Sequence, residues 1–455
     1  MWYNFFMKAL FNPNLIALAR ALDTPIYAVG GVVRNFLIDK SISLDVDLAG
    51  DLLPEQVGFV AVKFGFKVVC EYKKTGTLVF TDGKRRYEFT SFRTEKYHGG
   101  EHCPYEVTRT SSIKEDALRR DFKCNAIYYD LKNGEFVDVL KGMADVENRV
   151  IDTVASPSEV FSHDGLRLMR LARFCAELNF TPTSEVLEGA RKNCGNIKDI
   201  SPERIFAELR LILKADKKYA FSNPNGHYVA LKILDETRVL DGIIPELTAG
   251  RGMTQRADYH KYDVLEHTLK AVQYAHPKVR LSALFHDIAK PYCKSTFGEF
   301  YRHDLEGVEI AKKVLKRLKV DTKTERDVVF AVRYHMIDMD CKMREVKVRR
   351  FIVKNYDRLD GLFMIKQADF TASMEDKGVA PTIEKWERII KKMKEEGVPF
   401  SLKQIIITAE DLKNFGYKGI EIGEKLEKLW EHLIINPKDN DRETLLRMIK
   451  RDKKQ

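Results

Sequence analysis

Long apolar runs and paired cysteines are both missing from this sequence. No stretch approaches the roughly 18 consecutive apolar residues that a membrane-spanning helix needs, so a membrane partner is not expected. The seven cysteines, Cys70, Cys103, Cys124, Cys175, Cys194, Cys293 and Cys341, are odd in number, widely scattered and contain no CxxC pair. That argues against a disulfide framework or a thiolate zinc site and for a reduced, cytoplasmic chain. There is no repeat of fixed period and no low-complexity tract apart from the short basic end, residues 450–455, which reads as frayed. The aromatic residues 1–11 carry only Lys8 and run into Pro13 with neither a long apolar core nor a small-residue cleavage site. They read as a leader helix, not a signal.

What is present is an ordinary globular composition: 455 residues, 44% hydrophobic and 32% charged, enough for two to four domains that each bury a core. Lys and Arg number 77 against 67 Asp and Glu, a net charge of +10, which favours a polyanionic partner. Residues 25–140 alternate strand and helix patterns: IYAVGG, helical VVRNFLID, alternating LDVDLAG, a helix after Pro54, then FKVVCEY. TLVF and RRYEFTSF follow, joined through Thr81-Asp82-Gly83-Lys84, where Asp-Gly suits a hairpin. From about Ser158 the pattern is almost wholly helical, with helices predicted at 164–177 and 201–215. Flexible junctions near 248–254 and 378–381 mark candidate boundaries.

Two features of the first part carry chemistry. Gly30-Gly31 ends a predicted strand and opens a helix containing Arg34, so bare N–H groups and the positive helix end can hold a triphosphate while Arg34 adds charge. The next strand carries Asp45 and Asp47 two residues apart, which puts both carboxylates on one face, where hard divalent ions can bridge them. A metal pair of that kind assists in-line nucleotidyl transfer. An isolated DxD is usually the solvated face of a strand; the neighbouring Gly-Gly turn and Arg34 shift the balance toward nucleotidyl transfer. Glu88 is a candidate third carboxylate, or a surface charge.

Together, GGVVRN (30–35), LDVDLA (44–49), TGTLVF (75–80), YEFTSFRTEKY (87–97) and RRDFKCNAI (119–127) resemble the class II tRNA nucleotidyltransferases, the family of the bacterial CCA-adding enzymes and poly(A) polymerases. The resemblance runs nearly the whole chain. It implies a polymerase-β-like α/β head, magnesium at Asp45 and Asp47, and nucleotide contacts from Gly31 and Arg34. Arg119, Arg120, Asp121 and Asn125 match its second nucleotide-contacting motif, with the choice between Arg119 and Arg120 open. The family's acidic pair followed by spaced arginines is matched by His163, Asp164, Arg167, Arg170 and Arg173.

The chemistry of that last motif is intelligible. Cytosine and adenine each show an amino donor beside an unprotonated ring nitrogen, so an Asp acceptor with an Arg donor can read either base and reject guanine and uracil. On a helix Asp164 and Arg167 share a face, which assigns them to base reading; the resemblance gives Arg170 and Arg173 nucleotide or phosphate contacts. The chain departs from the family at His163, where Glu usually orients the neighbouring Arg, at Asn35, where Asp is usual, and in the loop 98–104 associated with switching from C to A addition.

Ser201-Pro202 opens a further family helix that continues to Glu208, with Ser as N-cap and Pro at the first position, and reads as structural support. Farther on, His267, His286, Asp287 and Asp369, embedded in YHKYDVLEHT, LFHDIAK and KQADFTAS, follow the residue order of the HD phosphohydrolases. His303 and His335 extend this to a two-metal site, as RHDLEGVEIA and VVFAVRYHM suggest. Neutral imidazoles with carboxylates suit a second divalent metal site that activates water against a phosphate ester; a degenerate scaffold for RNA is the alternative. Residues 409–433 and 436–451 resemble the RNA-binding tail of the CCA-adding enzymes. The expectation is a multidomain chain: head 1–150, all-α neck 151–250, HD-type helical body 251–378 and helical tail 379–455. It would add CCA to tRNA from CTP and ATP. A-only addition, poly(A) synthesis, or an HD phosphohydrolase with an RNA-binding head are the rivals.

Overall fold

The computed structural model describes residues 7–41, 43–97, 104–256, 258 and 260–452. Most of the loop expected to influence C-to-A switching and most of the N-terminal leader segment lie outside them. Two compact units make up the chain, the first Met1–Thr248 with Val314–Val320, the second Ala249–Lys313 with Asp321–Gln455. Among the described residues no helix is long and apolar enough to cross a membrane.

The first unit is built on a seven-stranded mixed sheet of order β3-β4-β5-β2-β1-β8-β9. After helix α1 (Pro13–Ala21), β1 (Ile26–Val29) turns at Gly30 into α2 (Gly31–Asp39), and β2 (Asp45–Gly50) returns beside it. Helix α3 (Pro54–Lys63) leads to β3 (Lys67–Tyr72), β4 (Thr77–Thr81) and β5 (Arg86–Ser91). β2 runs antiparallel to β1 and parallel to β5, with Asp47 level with Val29 on one side and Glu88 on the other. Phe66, Phe80 and Tyr87 pack ring against ring at 5.2–5.4 Å behind these strands, each such buried ring contributing roughly 1.5–3 kcal/mol.

The expected hairpin is tied down by Asp82. Its carboxylate accepts from the backbone N–H of Lys84 and Arg85 at 2.9 and 2.7 Å, from Asn12 Nδ2 at 2.6 Å and from Tyr87 Oη at 2.8 Å. Although desolvation opposes ionisation, these hydrogen bonds hold the Asp82 pKa down at about 2. The short antiparallel pair β6 (Arg93–Lys96) and β7 (Glu106–Arg109) has no counterpart in the sequence pattern. Helix α4 (Ile113–Leu118), capped by Ser112, and the hairpin of β8 (Tyr128–Asp130) with β9 (Glu135–Val137) complete the head.

Helices follow: α5 (Pro157–His163), α6 (Leu166–Leu178), α7 (Pro202–Ile212) and α8 (Gly226–Glu236), with α6 packed against α7 and α8. Two local expectations need correction. The helix predicted from Asp164 begins at Leu166, because Asp164 is extended (φ −144°, ψ 109°) and its Oδ1 accepts the Leu166 N–H at 2.9 Å. An Asx turn of this kind competes with helix. Gly165 between them has no room for a side chain, since a Cβ would lie 2.2 Å from the Asn196 carbonyl oxygen. Ser201 does occupy the N-cap of α7 with Pro202 next, yet its side chain makes no capping bond.

The second unit is helical: α9 (Val264–Tyr274), α10 (Arg280–Phe285), α11 (His303–Arg317, its residues to Lys313 belonging here), α12 (Thr322–Tyr334) and α13 (Leu359–Met374). Helix α14 (Pro381–Glu395) carries the fully buried Trp386 into a core with Val348, Ile352 and Met393. Helices α15 (Ile420–Leu433) and α16 (Arg442–Asp452) share a separate core around Leu429, Leu433, Leu445 and Ile449. The basic end is therefore not frayed through Asp452: Lys450 and Arg451 lie in α16, and Asp452 pairs with the buried Lys425.

Candidate functional site

The turn after β1 brings the Gly30 backbone against the carboxylate of Asp47. Gly30 adopts φ +74° and its carbonyl accepts the first bond of α2, from the Arg34 N–H at 3.1 Å. A Cβ at Gly30 would sit 3.2 Å from Asp47 Oδ2. Positive φ and close approach together require glycine there. Asp47 keeps much of its side chain exposed, but desolvation of its carboxyl, reinforced by Glu88 and Asp45 and opposed by Arg120, raises its pKa. Glu88, level with Asp47 on β5, pairs with Arg86 at 3.0 Å.

These groups open into a cleft of about 760 Å³ that also holds Gly31, Arg34, Arg119, Arg120, Asp121 and Asn125 from the head and Asp164, Arg167, Arg170 and Arg173 from the helices after it. Of the sequence-derived residues of this site, Asp45, Asn35 and His163 lie outside the lining, and Asp45 is exposed at the start of β2. Cations outnumber carboxylates around the cleft, as an anionic ligand requires.

Many of the polar residues are already linked to one another. Arg34 is buried, bonded to Asn35 Oδ1 and Asn125 Oδ1, and lies over the Phe174 ring at 5.2 Å. Asn125 donates to Asp121 Oδ1 at 3.1 Å, and Arg170 grips Asp121 Oδ2 with Nε and Nη2 at 2.8 and 2.6 Å. Asp121 is thereby kept ionised against its desolvation. Asn35, where the family has Asp, thus keeps the orienting acceptor for Arg34 and drops the charge.

The fully buried Asp116, missed in the sequence, binds both arginines in question: Arg119 Nε at 2.7 Å on one oxygen, Arg120 Nη2 at 3.1 Å on the other. Its spacing of three and four before them on α4 is the signal that was there to find. Arg119 also reaches Glu95, and Arg120 the hydroxyl of Tyr128.

Asp164 and Arg167 both line the cleft, though by a route other than a shared helix face. Asp164 projects from the extended link, while Arg167, at the start of α6, donates to the carbonyl oxygens of Val160 and Arg119 at 3.2 and 2.6 Å. Those carbonyls orient Arg167 where the family's Glu is replaced by His163, whose ring instead stacks on Tyr97 at 5.3 Å and 11°. Arg173 is buried between Glu208 and Glu177, at 2.7 and 3.1 Å, and so ties α6 to α7.

The second unit brings all six of its predicted metal residues together. His267 comes from α9, His286 and Asp287 from the end of α10, His303 from the start of α11, His335 from the end of α12 and Asp369 from α13. They form two buried groups, His267 with His286 and Asp369, and Asp287 with His303 and His335. Asp287 joins them: Oδ2 is 3.4 and 3.3 Å from Nε2 of His267 and His286, Oδ1 is 3.3 and 3.5 Å from Nε2 of His303 and His335. The Nδ1 atoms of His286, His303 and His335 point at the carbonyls of Ala283, Phe300 and Val332 at 2.7–2.8 Å. Carbonyls only accept, so these Nδ1 carry the protons and the Nε2 lone pairs face inward, 3.1 Å apart for His303 and His335. Converging lone pairs between buried carboxylates fit divalent cations. The buried Asp287 Oδ2 also takes no hydrogen bond of regular geometry, although Lys290 Nζ lies 2.6 Å away.

Comparison with known proteins matches this architecture segment by segment. Residues 26–152 match the poly A polymerase head domain, residues 179–250 the probable RNA and SrmB-binding site of polymerase A, and residues 262–362 the HD domain. The chain is 35% identical over 250 residues to the CCA-adding enzyme of Bacillus pumilus, spanning 54% of this chain and 58% of the relative. It is 37% identical over 192 residues to that of Streptococcus gordonii, 42% of this chain and 46% of the relative. These alignments span about half of each relative. With the CCA-adding enzyme of Streptococcus agalactiae the identity is 27% over 449 residues, covering 98% of this chain and 96% of the relative. The Bacillus stearothermophilus CCA-adding enzyme in complex with CTP superposes with a TM-score of 0.65 at 22% identity, covering 98% of this chain and all of that one. The Thermotoga maritima CCA-adding enzyme complexed with tRNA gives 0.61 at 18%, covering 98% and 97%; at such identities the likeness is one of fold. In its head, its RNA-binding segment and its HD domain, the chain is similar to the CCA-adding enzymes and the poly A polymerases over nearly its whole length.

Proposed function

We propose that this chain adds CCA to the 3′ end of tRNA, transferring CMP and AMP from CTP and ATP and releasing pyrophosphate. The observation that carries the reading is one cleft holding both the Gly30 turn beside Asp47 and the pair Asp164 and Arg167. The relative that spans 98% of the chain, itself a CCA-adding enzyme, favours this over A-only addition or poly(A) synthesis.

The all-oxygen donor set of Asp45 and Asp47, with Glu88 beside them, suits a hard ion such as magnesium. When bound, that ion neutralises phosphate charge and makes the primer hydroxyl a better nucleophile. The amides of Gly31 and the next residues, at the positive end of α2, face the triphosphate, with Arg34 and the Asp116-held Arg119 and Arg120 adding charge. Asp164 accepts from the exocyclic amine of cytosine or adenine, and Arg167 donates to the neighbouring ring nitrogen. Guanine and uracil leave both groups unpaired, a loss of about 1–3 kcal/mol for each buried group. The primer 3′-oxygen then bonds to the α-phosphorus, its proton passing to solvent, as the α–β bridging P–O bond breaks and pyrophosphate departs.

The test is extension of two tRNA transcripts, one lacking CCA and one ending in CC, resolved to single nucleotides. CCA addition gives three nucleotides on the first with both triphosphates and one A on the second. Extension of the second transcript alone would sink the reading in favour of A-only addition, and long A tails in favour of poly(A) synthesis. Unchanged incorporation by folded Asp47→Ala would remove the assigned centre.

A second activity is favoured by the two groups joined through Asp287. We infer that the HD-type centre hydrolyses a phosphate ester: water oxygen bonds to phosphorus, the ester P–O bond breaks, and the water proton passes to the departing oxygen. His267, His286 and Asp369 would hold one divalent cation, and Asp287, His303 and His335 the other. Phosphate release lost in His286→Ala with incorporation intact is the expected result; release that persists in that variant refutes it.

A further inference from the structure

The HD-type centre forms the floor of a cavity of about 1090 Å³, at the upper limit of pockets that enclose drug-sized ligands and far larger than a phosphate group needs. Its walls combine apolar and cationic side chains. Phe300, Tyr301, Met336, Met339 and Met374 line it, and of these Tyr301 is 72% exposed and Met374 52%. Exposed aromatic and thioether groups around one cavity form a surface on which a flat ring packs.

The cations differ in what they already hold. Lys290 Nζ is 2.6 Å from Asp287 and 2.8 Å from Gln255 Oε1, Arg333 is 2.7 Å from Asp304, and Arg256 is 2.6 Å from Asp258. Lys366 donates to the carbonyls of His335 and Ile337. Arg302 lines the same cavity, is exposed, and makes neither a side-chain hydrogen bond nor an ion pair among the described residues. It stands immediately before His303, with its backbone fixed at φ +66° by the Leu305 and Glu306 N–H groups that bond its carbonyl at 2.9 and 3.0 Å. A residue other than glycine in the left-handed region is costly, and the helix-start hydrogen bonds that hold Arg302 there fix its backbone beside His303.

We propose that Arg302 is the specificity residue of the HD-type centre, binding a second phosphate of a nucleotide whose first phosphate lies over the paired metal residues and whose base packs on the methionine and aromatic wall. This rests on the hydrolytic reading of that centre. The substrate class is a nucleoside bearing two phosphates, since one phosphate is accounted for by the floor and the other by the cation without a partner.

The test compares 5′-AMP with adenosine 3′,5′-bisphosphate by titration calorimetry on the full chain in manganese, with phosphate release measured alongside. The wild type is expected to bind the bisphosphate at least about tenfold more tightly, a ratio that Arg302→Ala collapses and Arg302→Lys partly restores. Because the nucleotidyltransferase cleft is the same in all three proteins, the change in ratio reports Arg302. His286→Ala serves as the separate control and is expected to weaken both ligands. A ratio that survives Arg302→Ala while His286→Ala weakens binding overturns the role of Arg302 and leaves the hydrolytic reading standing. Binding and phosphate release that both survive His286→Ala overturn the hydrolytic reading and the role of Arg302 with it.

Discussion

Asp164 has one oxygen bound to the Leu166 N–H of its own turn and stands at the cleft wall beside Arg167. Replacing it by Ala removes the acceptor for the base amine and loosens that turn. CTP and ATP incorporation is expected to fall about a hundredfold in kcat/KM while GTP and UTP lose far less, so the four triphosphates measured side by side report on selectivity. A uniform loss with all four would instead make Asp164 a structural residue. Asp82 gives a prediction about stability. Its folded pKa of about 2 lies below that of an unfolded aspartate, so its contribution is complete above about pH 4 and is lost as pH falls through about 2. Because Asp82 remains partly open to solvent, Asp82→Asn is expected to cost about 1–2 kcal/mol at neutral pH, less than the full linkage value. The difference between the two proteins should shrink in urea titrations as pH falls from about 4 toward 2. A difference independent of pH would mean that the hydrogen bonds of Asp82 contribute without its charge.

At the scale of elements, the strand, turn and helix from Ile26 to Asp39 fail or succeed through Gly30. Gly30→Ala forces a Cβ into positive φ and toward Asp47 Oδ2 at 3.2 Å. Stability should fall by about 1–2 kcal/mol, while incorporation should fall well beyond what that destabilisation explains, checked by comparing thermal unfolding with primer extension on the same preparation. The same segment shows what a sequence can display. Apolar alternation in β2 and the Asp-Gly hairpin follow from local rules, so β1 to β5 and α2 were legible. The start of α6 was not, because helical periodicity continues back through Asp164 while its side chain captures the backbone and Gly165 passes against the Asn196 carbonyl. Asp116, Tyr97 and the Glu177–Arg173–Glu208 link were hidden for a similar reason. Each acts through a partner placed by the tertiary fold, and only the three-and-four spacing of Asp116 to Arg119 and Arg120 left a local trace. For the HD-type centre, residue order named all six side chains. Order could not show that Asp287 lends one oxygen to each group, because that depends on how five helices converge.

For the whole molecule, the net charge of +10 and the cationic majority around the cleft of the first unit would, under the proposed function, both attract the tRNA polyanion. Each phosphate neutralised releases condensed counterions, so tRNA affinity should fall steeply with salt, with a slope of log K on log salt near −0.7 to −0.9 per neutralised phosphate. The base-reading pair touches no phosphate in the proposed arrangement, whereas Arg120 adds charge to the triphosphate site. Arg167→Ala is therefore expected to leave the salt slope of tRNA binding unchanged while lowering discrimination among triphosphates. Neutralising the basic residues of α15 and α16 together, for example Lys428→Gln with Arg447→Gln and Lys450→Gln, should weaken tRNA at low salt and flatten the slope by about one for each phosphate left without its cation. Binding measured by filter retention across a salt series separates the cases. A slope untouched by the triple variant would show that α15 and α16 do not face the tRNA backbone and would move the electrostatic attraction to the cleft arginines.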